Sequence, residues 1–284
     1  MIKKKNIALT SIHNDRNFVA DVTYLSDGKK KPVIVFNHGF KGFKDWGPFD
    51  LVANKFAHAG FVFIKMNFSH NGVTAEEPRD FVNLDAFAQN NFCKELDDTG
   101  VLLDQLFLED LNIEGTEIEL DRCYQIGHSR GGAHVLLKAM EDRRIKAVAT
   151  WAAVNDLEKW HSPEQLKLWK QNGRIFIHNA RTNQQMPMDY QLVENYYANK
   201  ERLNVPQAVK KLQIPMLAIH GTDDPTVPVE AVMEIGSWNS DVRIEIIEGA
   251  GHTFGGTHPF NETKLPLHLD KVTDLTIDFL RNLG

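Results

Sequence analysis

Short apolar runs alternate along the chain with longer stretches in which apolar residues recur at helical spacing. Runs that are apolar at successive positions are typical of strands buried on both faces of a parallel sheet. The alternation of strands and helices predicts a doubly wound α/β fold with a mostly parallel sheet. The predicted strands are 33–36, 61–64, 124–126, 145–149, 216–219 and 242–247. The predicted helices are 49–59, 94–109, 131–140, 229–237 and 269–283.

Two regions depart from this alternation. Residues 7–25 show a period of two and are followed by Asp27-Gly28, which predicts antiparallel strands at the edge of the sheet. Residues 155–207 contain one strand-like run, at 174–177, and are rich in aromatic residues. We interpret 155–207 as a cap inserted into a core made of residues 1–154 and 208–284. The alternative is an ordinary elaboration packed on the sheet edge.

Composition narrows the functional class. The chain has 284 residues, of which 42% are hydrophobic and 25% charged, and its net charge is −6. The acidic balance argues against nucleic acid as a partner. No apolar run is long enough to cross a bilayer, and there are only two cysteines. We therefore expect a cytoplasmic protein without membrane contact, the alternative being one whose export signal has been removed.

The most informative stretch is Gly127-His128-Ser129-Arg130-Gly131, between a predicted strand and a predicted helix. A Gly-x-Ser-x-Gly at such a junction forms a nucleophile elbow, a turn so sharp that bulky neighbours would clash. The helix that follows directs its free N–H groups at a site where negative charge develops. An isolated pentapeptide of this kind is also compatible with a glycine-rich loop that opens a buried helix.

Other strand ends add the remaining parts of an acyl-transfer site. In open α/β sheets ligands bind at the carboxyl ends of the strands. Asp223 and Asp224 follow the predicted strand 216–219, and His252 follows the predicted strand 242–247. The chain order is thus serine, aspartate, histidine. No histidine or cysteine spacing indicates a metal, and no phosphate-loop lysine follows the glycines, so we expect neither metal nor cofactor.

These motifs resemble the α/β-hydrolase superfamily, which has this elbow and this triad order. The segments 38–43 and 251–254 also look like the dienelactone-hydrolase-related and feruloyl-esterase-like branch. Dienelactone hydrolases proper use a cysteine nucleophile, whereas this elbow has a serine, so their substrate is not transferred.

The resemblance implies roles for individual residues. Ser129 is the nucleophile, His252 the base, and Asp224 the carboxylate that orients His252, with Asp223 as the rival. The backbone N–H groups of Phe40 and Arg130 form the oxyanion hole.

The function we expect is hydrolysis of a small-molecule carboxylic ester by a serine hydrolase of the carboxylesterase class. A peptidase resembling the prolyl-oligopeptidase branch is the runner-up, although that branch usually has an N-terminal propeller, for which this chain lacks room. A thioesterase or acyltransferase, and a non-catalytic binding protein on the same fold, are further alternatives. The sequence leaves the oligomeric state open.

The substrate pocket is the least defined part of the prediction. Residues 155–210 include eight lysines and arginines but only six acidic residues, and this small positive excess permits an anionic substrate. The aromatic residues of the cap suggest an apolar or aromatic group in the substrate. The candidate pocket residues are His128, Trp160, Trp169, Tyr196 and Tyr197.

Overall fold

A computed structural model describes residues 1–158 and 162–283. The strands of the main sheet are β1 (Ile2–Thr10), β2 (Asn17–Tyr24), β3 (Lys31–Asn37), β4 (Val62–Met66), β5 (Ile118–His128), β6 (Ile145–Trp151), β9 (Met216–Gly221) and β10 (Val242–Ile247). Their order is β1-β2-β4-β3-β5-β6-β9-β10. From β4 to β10 all neighbours are parallel, whereas β2 is antiparallel to both β1 and β4. The predicted fold and its antiparallel edge are confirmed.

Helices cover both faces of the sheet. They are α1 (Phe49–His58), α2 (Leu84–Ala88), α3 (Phe92–Phe107), α4 (Arg130–Glu141), α5 (Pro163–Asn172), α6 (Gln191–Ala198), α7 (Val205–Lys211), α8 (Glu230–Trp238) and α9 (Leu267–Arg281). Val33 and Val35 of β3 belong to one apolar core, with α3, α4, α7 and α8. Ile34 and Phe36 belong to the other core, with α1 and α9. The strand is apolar at successive positions because each of its faces meets a different layer of helices.

The predicted helix 94–109 begins earlier in the structure, at Phe92. Its start is fixed by Asn91, whose side chain accepts a hydrogen bond from the N–H of Lys94 at 3.0 Å. Short α2 was not predicted, because five residues are too few for a helical pattern to stand out. Within the described residues no helix is both long and apolar enough to span a bilayer.

The segment between β6 and β9 carries a second, two-stranded antiparallel sheet of β7 (Arg174–Asn179) and β8 (Gln184–Asp189). The strand-like run at 174–177 lies in β7. Strand β8 escaped the sequence analysis because Pro187 interrupts it, and proline is rare inside strands that are paired on both sides. Here Pro187 pairs only with β7, so its missing N–H can face away from the ladder. That residues 155–207 form a cap stays a prediction.

Candidate active site

Ser129 lies between β5 and α4, at the carboxyl end of the sheet. Its backbone has φ 57° and ψ −121°, a strained conformation for a residue with a side chain. Gly127 and Gly131 make this turn sterically possible. A Cβ on Gly127 would lie 2.1 Å from the carbonyl oxygen of Gly131, and one on Gly131 would lie 2.3 Å from that of Asn37. The elbow therefore holds its serine in one position, clear of bulky neighbours.

The substitution Gly127→Ala is expected to destabilise the fold strongly. The added methyl group would overlap backbone atoms of α4, which cannot move without shifting the helix. We expect a loss of about 3 kcal/mol or more in the free energy of unfolding, measured by thermal or urea denaturation. Gly115→Ala is the matched control, because its Cβ would meet no atom closer than 3.6 Å. Equal melting temperatures for the two variants would contradict this account of the elbow.

A chain of hydrogen bonds runs from Ser129 into the protein. Ser129 Oγ lies 3.0 Å from His252 Nε2, and His252 Nδ1 lies 2.8 Å from Asp224 Oδ2. With the Nδ1 proton donated to the carboxylate, Nε2 is free to accept the proton of the serine hydroxyl. His252 reaches this position from the loop that follows β10, and Asp224 from the loop that follows β9. The arrangement can activate a serine for attack on a carbonyl.

Asp224, and not Asp223, is the carboxylate that the structure places against His252. The Oδ1 atom of Asp224 accepts hydrogen bonds from the N–H groups of Thr226 at 2.8 Å and Val227 at 2.9 Å. Burial raises the pKa of the Asp224 carboxyl, but the hydrogen bonds from its partners, His220 and His252 foremost, outweigh it and hold the pKa far below its usual range. The low pKa favours the ionised form of Asp224, the form that accepts a hydrogen bond from His252. The Asp223 side chain is exposed.

The loop after β3 passes directly against the nucleophile. A Cβ on Gly39 would lie 2.8 Å from Ser129 Cβ, so only a glycine permits this approach. Phe40 follows Gly39, and Arg130 begins α4 on the other side of Ser129. In the described part of the chain neither the Phe40 N–H nor the Arg130 N–H donates to a protein acceptor. Both donors of the expected oxyanion hole are thus close to the serine and uncommitted.

A buried ion pair, which the sequence analysis missed, fixes the side chain of Arg130. Its Nη2 atom lies 2.5 Å from Oε1 of Glu95, a residue of α3 that is only 1% exposed. Burial raises the pKa of Glu95, but Arg130 and His134 outweigh it and hold the pKa at about 2. The Arg130 guanidinium also stacks 4.5 Å from the ring centroid of Phe40. The pair therefore links α3, the start of α4 and the Phe40 loop.

Two cavities meet at Ser129. We call the first the polar cavity; it has a volume of about 340 Å³, and its lining includes Lys41, His128, Asn179, Arg181, His252 and His258. We call the second the apolar cavity; it has a volume of about 370 Å³, and its lining includes Phe92, Val154, Leu157, Ile177 and Met188. Ser129 and Phe40 line both. A substrate bound at Ser129 can thus extend in two directions with different chemistry.

Of the predicted pocket residues that the structure describes, only His128 lines one of the two cavities. His128 lines the polar cavity, and its Nε2 donates to the carbonyl oxygen of His252 at 2.8 Å. Burial lowers the pKa of His128 to about 3, so this side chain is neutral and holds the His252 backbone in place. Trp160 lies outside the described residues. The other three aromatic residues line neither cavity.

Trp169 is fully buried, and its Nε1–H donates to the carbonyl oxygen of Met188 at 2.9 Å. Tyr196 and Tyr197 donate their hydroxyl groups to Glu158. The hydrogen bonds of these aromatic side chains lie within the 155–207 segment, and the cavities give no support to the prediction that they line the pocket. The segment reaches the cavities instead through the β7–β8 hairpin, with Ile177 and Met188 on the apolar side and Asn179 and Arg181 on the polar side.

One carboxylate cluster away from the serine has the spacing of a metal site: Asp21, Asp45 and Asp50. Lysine ammonium groups already occupy it. Lys44 lies 2.9 Å from Asp21, and Lys65 lies 2.6 Å from Asp45 and 2.5 Å from Asp50. The cluster is therefore an ion-pair network that joins β2, β4 and α1.

Comparison with known proteins bears on both the fold and the family. A model of the prolyl oligopeptidase family matches residues 90–265, more than half of the chain and the part that contains Ser129, Asp224 and His252. Comparison with curated proteins finds no match.

Solved structures of similar fold include several hydrolases. Est1E from Butyrivibrio proteoclasticus, with bound ferulic acid, has a TM-score of 0.72 at 17% identity, covering 97% of this chain and 98% of that chain. The esterase domain of a Rhodothermus marinus protein has a TM-score of 0.65 at 18% identity, covering 99% of each chain. Alpha/beta hydrolase GrgF from Penicillium sp. sh18 has a TM-score of 0.69 at 14% identity, covering 99% of each. The resemblance to α/β hydrolases and their feruloyl-esterase-like branch is confirmed at the level of the fold.

Proposed function

The chain belongs to the prolyl oligopeptidase family, and on this premise we propose that it is a serine hydrolase that cleaves carboxylic esters through an acyl-enzyme. The observation that carries the proposal is the chain of hydrogen bonds from Ser129 through His252 to Asp224. In this arrangement each group is within reach of the proton it must move.

The reaction follows from these positions. Ser129 Oγ attacks the ester carbonyl carbon while its proton passes to His252 Nε2. The N–H groups of Phe40 and Arg130 stabilise the negative charge on the carbonyl oxygen. His252 then gives the proton to the alcohol oxygen as the ester bond breaks. A water molecule repeats the sequence on the acyl-enzyme, which releases the acid and restores the serine hydroxyl.

The same proton transfer orients the substrate between the cavities. Because His252 must protonate the departing alcohol, the alcohol portion lies on the His252 side of Ser129. His252 lines the polar cavity and is absent from the lining of the apolar one. We therefore assign the acyl portion to the apolar cavity and the alcohol portion to the polar cavity.

A peptidase is the second candidate, because the family that the chain matches is named after a peptidase, prolyl oligopeptidase. The ester assignment is supported by the esterases of similar fold, two of which cover nearly the whole chain. An ester and an amide of the same acid differ only in the leaving group, which is an alcohol in one and an amine in the other. Substrates with the same acyl group therefore distinguish an esterase from a peptidase.

The test begins with a fluorophosphonate probe, which reacts with activated serines irrespective of substrate. We expect mass spectrometry to find the label on Ser129. A panel of esters, thioesters and peptide amides with one common acyl group then identifies the activity, and we expect the highest kcat/KM for the esters. Labelling at Ser129 with faster cleavage of amides would establish the peptidase. Absence of labelling and of turnover would refute a catalytic role for this serine.

We also propose that residues 155–207 act as a cap that selects the acyl group of the substrate. Ile177 and Met188 would contact the apolar part of the substrate, the role that the sequence analysis gave to the aromatic residues of the cap. Ile177→Ala and Met188→Ala should each lower kcat/KM for bulky acyl esters about tenfold more than for acetyl esters, because each removes apolar contact from the larger group. Met233→Ala, at an exposed position on α8, is the control. Equal losses on every ester would mean that the segment stabilises the fold without selecting the substrate.

A cytoplasmic location is part of the proposal. Its support is that both cysteines, Cys93 and Cys123, are buried and unpaired, as is usual in a reducing compartment. Fractionation of cells that express the native gene product tests it.

A further inference from the structure

The polar cavity has an unbalanced charge. Lys41 and Arg181 line it, and none of the described lining residues is acidic. Burial lowers the pKa of Lys41 and that of Arg181, because each cation is partly removed from the solvent that stabilises its charge. Neither makes an ion pair with a described carboxylate within 4.0 Å; Asp80 attracts Arg181 from outside the cavity. Two partly desolvated cations without a paired carboxylate favour the entry of an anion.

His38, His128 and His258 add hydrogen-bonding groups to this cavity without adding charge. Burial lowers the pKa of His38 to about 4 and that of His128 to about 3. Burial, followed by Arg181 and Arg79, also lowers the pKa of His258. At neutral pH these three histidines therefore add no positive charge to that of Lys41 and Arg181.

Two donors in the same lining have no acceptor. Asn179, at the end of β7, is only 6% exposed, and its Nδ2 has no hydrogen-bond partner among the described residues. The Nη2 atom of Arg181, two residues further on, is likewise buried and unpaired there. A buried donor without a partner is destabilising unless a ligand supplies the acceptor. Both residues belong to the β7–β8 hairpin, whereas Lys41 belongs to the loop that follows β3.

We infer that the polar cavity binds an oxyanion, a carboxylate or a phosphate, on the alcohol portion of the ester, with Arg181, Asn179 and Lys41 as its partners. The inference rests on the proposed function, because the departing alcohol occupies this cavity only if His252 protonates it. A guanidinium offers two parallel N–H donors to a carboxylate or a phosphate, and the Asn179 amide adds a third donor. The substrate class is thus an ester of an apolar acid with an anionic alcohol.

The test compares esters that share a hexanoyl group and differ only in the alcohol. Hexanoyl glycolate carries a carboxylate, hexanoyl glycolamide is its neutral counterpart, and 2-(hexanoyloxy)ethyl phosphate carries a phosphate. We expect the anionic esters to exceed the neutral one in kcat/KM by about tenfold or more, the effect of one charge-assisted hydrogen bond. The larger of the two anionic values identifies the preferred oxyanion.

Variants assign that preference to residues. Arg181→Met and Lys41→Met should reduce the ratio of anionic to neutral kcat/KM, Arg181→Met by about tenfold. Lys170→Met removes an exposed cation on α5 that lines neither cavity, and it should leave the ratio as in the wild type. Equal kcat/KM for glycolate and glycolamide esters, or a ratio that Arg181→Met leaves unchanged, would overturn the inference and leave the esterase proposal intact.

A binding measurement covers the case in which none of these esters is cleaved. Inorganic phosphate should slow fluorophosphonate labelling of Ser129 in the wild type and lose this effect in Arg181→Met. No protection by phosphate, with labelling itself normal, would refute the anion site independently of turnover. Absence of labelling would instead refute the proposed function.

Discussion

Replacement of Ser129 by alanine is expected to lower kcat/KM for ester hydrolysis by about 10⁴-fold or more, because Ser129 is the residue proposed to form the acyl-enzyme. The loss of one hydroxyl removes the 3.0 Å hydrogen bond to His252 and little else. Alanine keeps the Cβ at φ 57°, so the backbone strain of the elbow is unchanged. We therefore expect the free energy of unfolding to change by only about 1 kcal/mol. Steady-state kinetics and thermal unfolding on the same preparations separate the two effects.

Ser237→Ala is the matched control, since Ser237 is exposed on α8 and bonds only to the carbonyl of Glu234. It should retain full activity. The Ser129→Ala variant should also fail to react with the fluorophosphonate. If more than a few per cent of the activity remains, or if the probe still labels the variant, another residue is the nucleophile.

The fold could be predicted where the backbone itself limits the choice of residue. Strands buried on both faces must be apolar at successive positions, so β3, with Val33 and Ile34 in different cores, was visible in the sequence. The elbow could be predicted because Gly127 and Gly131 lie so close to backbone atoms that no side chain fits at either position. Gly39 makes a different close approach, to the side chain of Ser129 ninety residues away, and that contact shows only in the structure.

The pocket could not be predicted, because its residues share no pattern. Aromatic residues serve a core as readily as a pocket, and Trp169 packs in a core with its indole N–H bonded to Met188. The apolar cavity is lined instead by Phe92 of α3, Leu157 of the loop after β6 and Ile177 of β7, which are far apart in the sequence. Glu95 escaped notice for the same reason: its role depends on Arg130, a partner from another helix.

The second large effect is expected from Asp224→Asn, which should lower kcat/KM by about 10⁴-fold. A neutral amide cannot stabilise the imidazolium that forms when His252 takes the serine proton. The amide NH₂ can also donate to His252 Nδ1, which places the histidine proton on Nε2, where it cannot accept one from Ser129. The amide loses acceptor capacity as well, since the carboxylate now receives His252 on one oxygen and the N–H groups of Thr226 and Val227 on the other.

Asp223→Asn is the adjacent control, and it should retain activity within about threefold, as expected for an exposed surface substitution. Its side chain is exposed and accepts a hydrogen bond from the neighbouring Thr222 hydroxyl, a contact that an amide can keep. Melting temperatures decide whether a loss at Asp224 reflects unfolding. A folded Asp224→Asn protein that remains labelled slowly by the fluorophosphonate would show that the serine is in place and only its base is misoriented. If Asp223→Asn loses more activity than Asp224→Asn, the carboxylate that orients His252 is Asp223, and the hydrogen bond to Asp224 is not the one that catalysis uses.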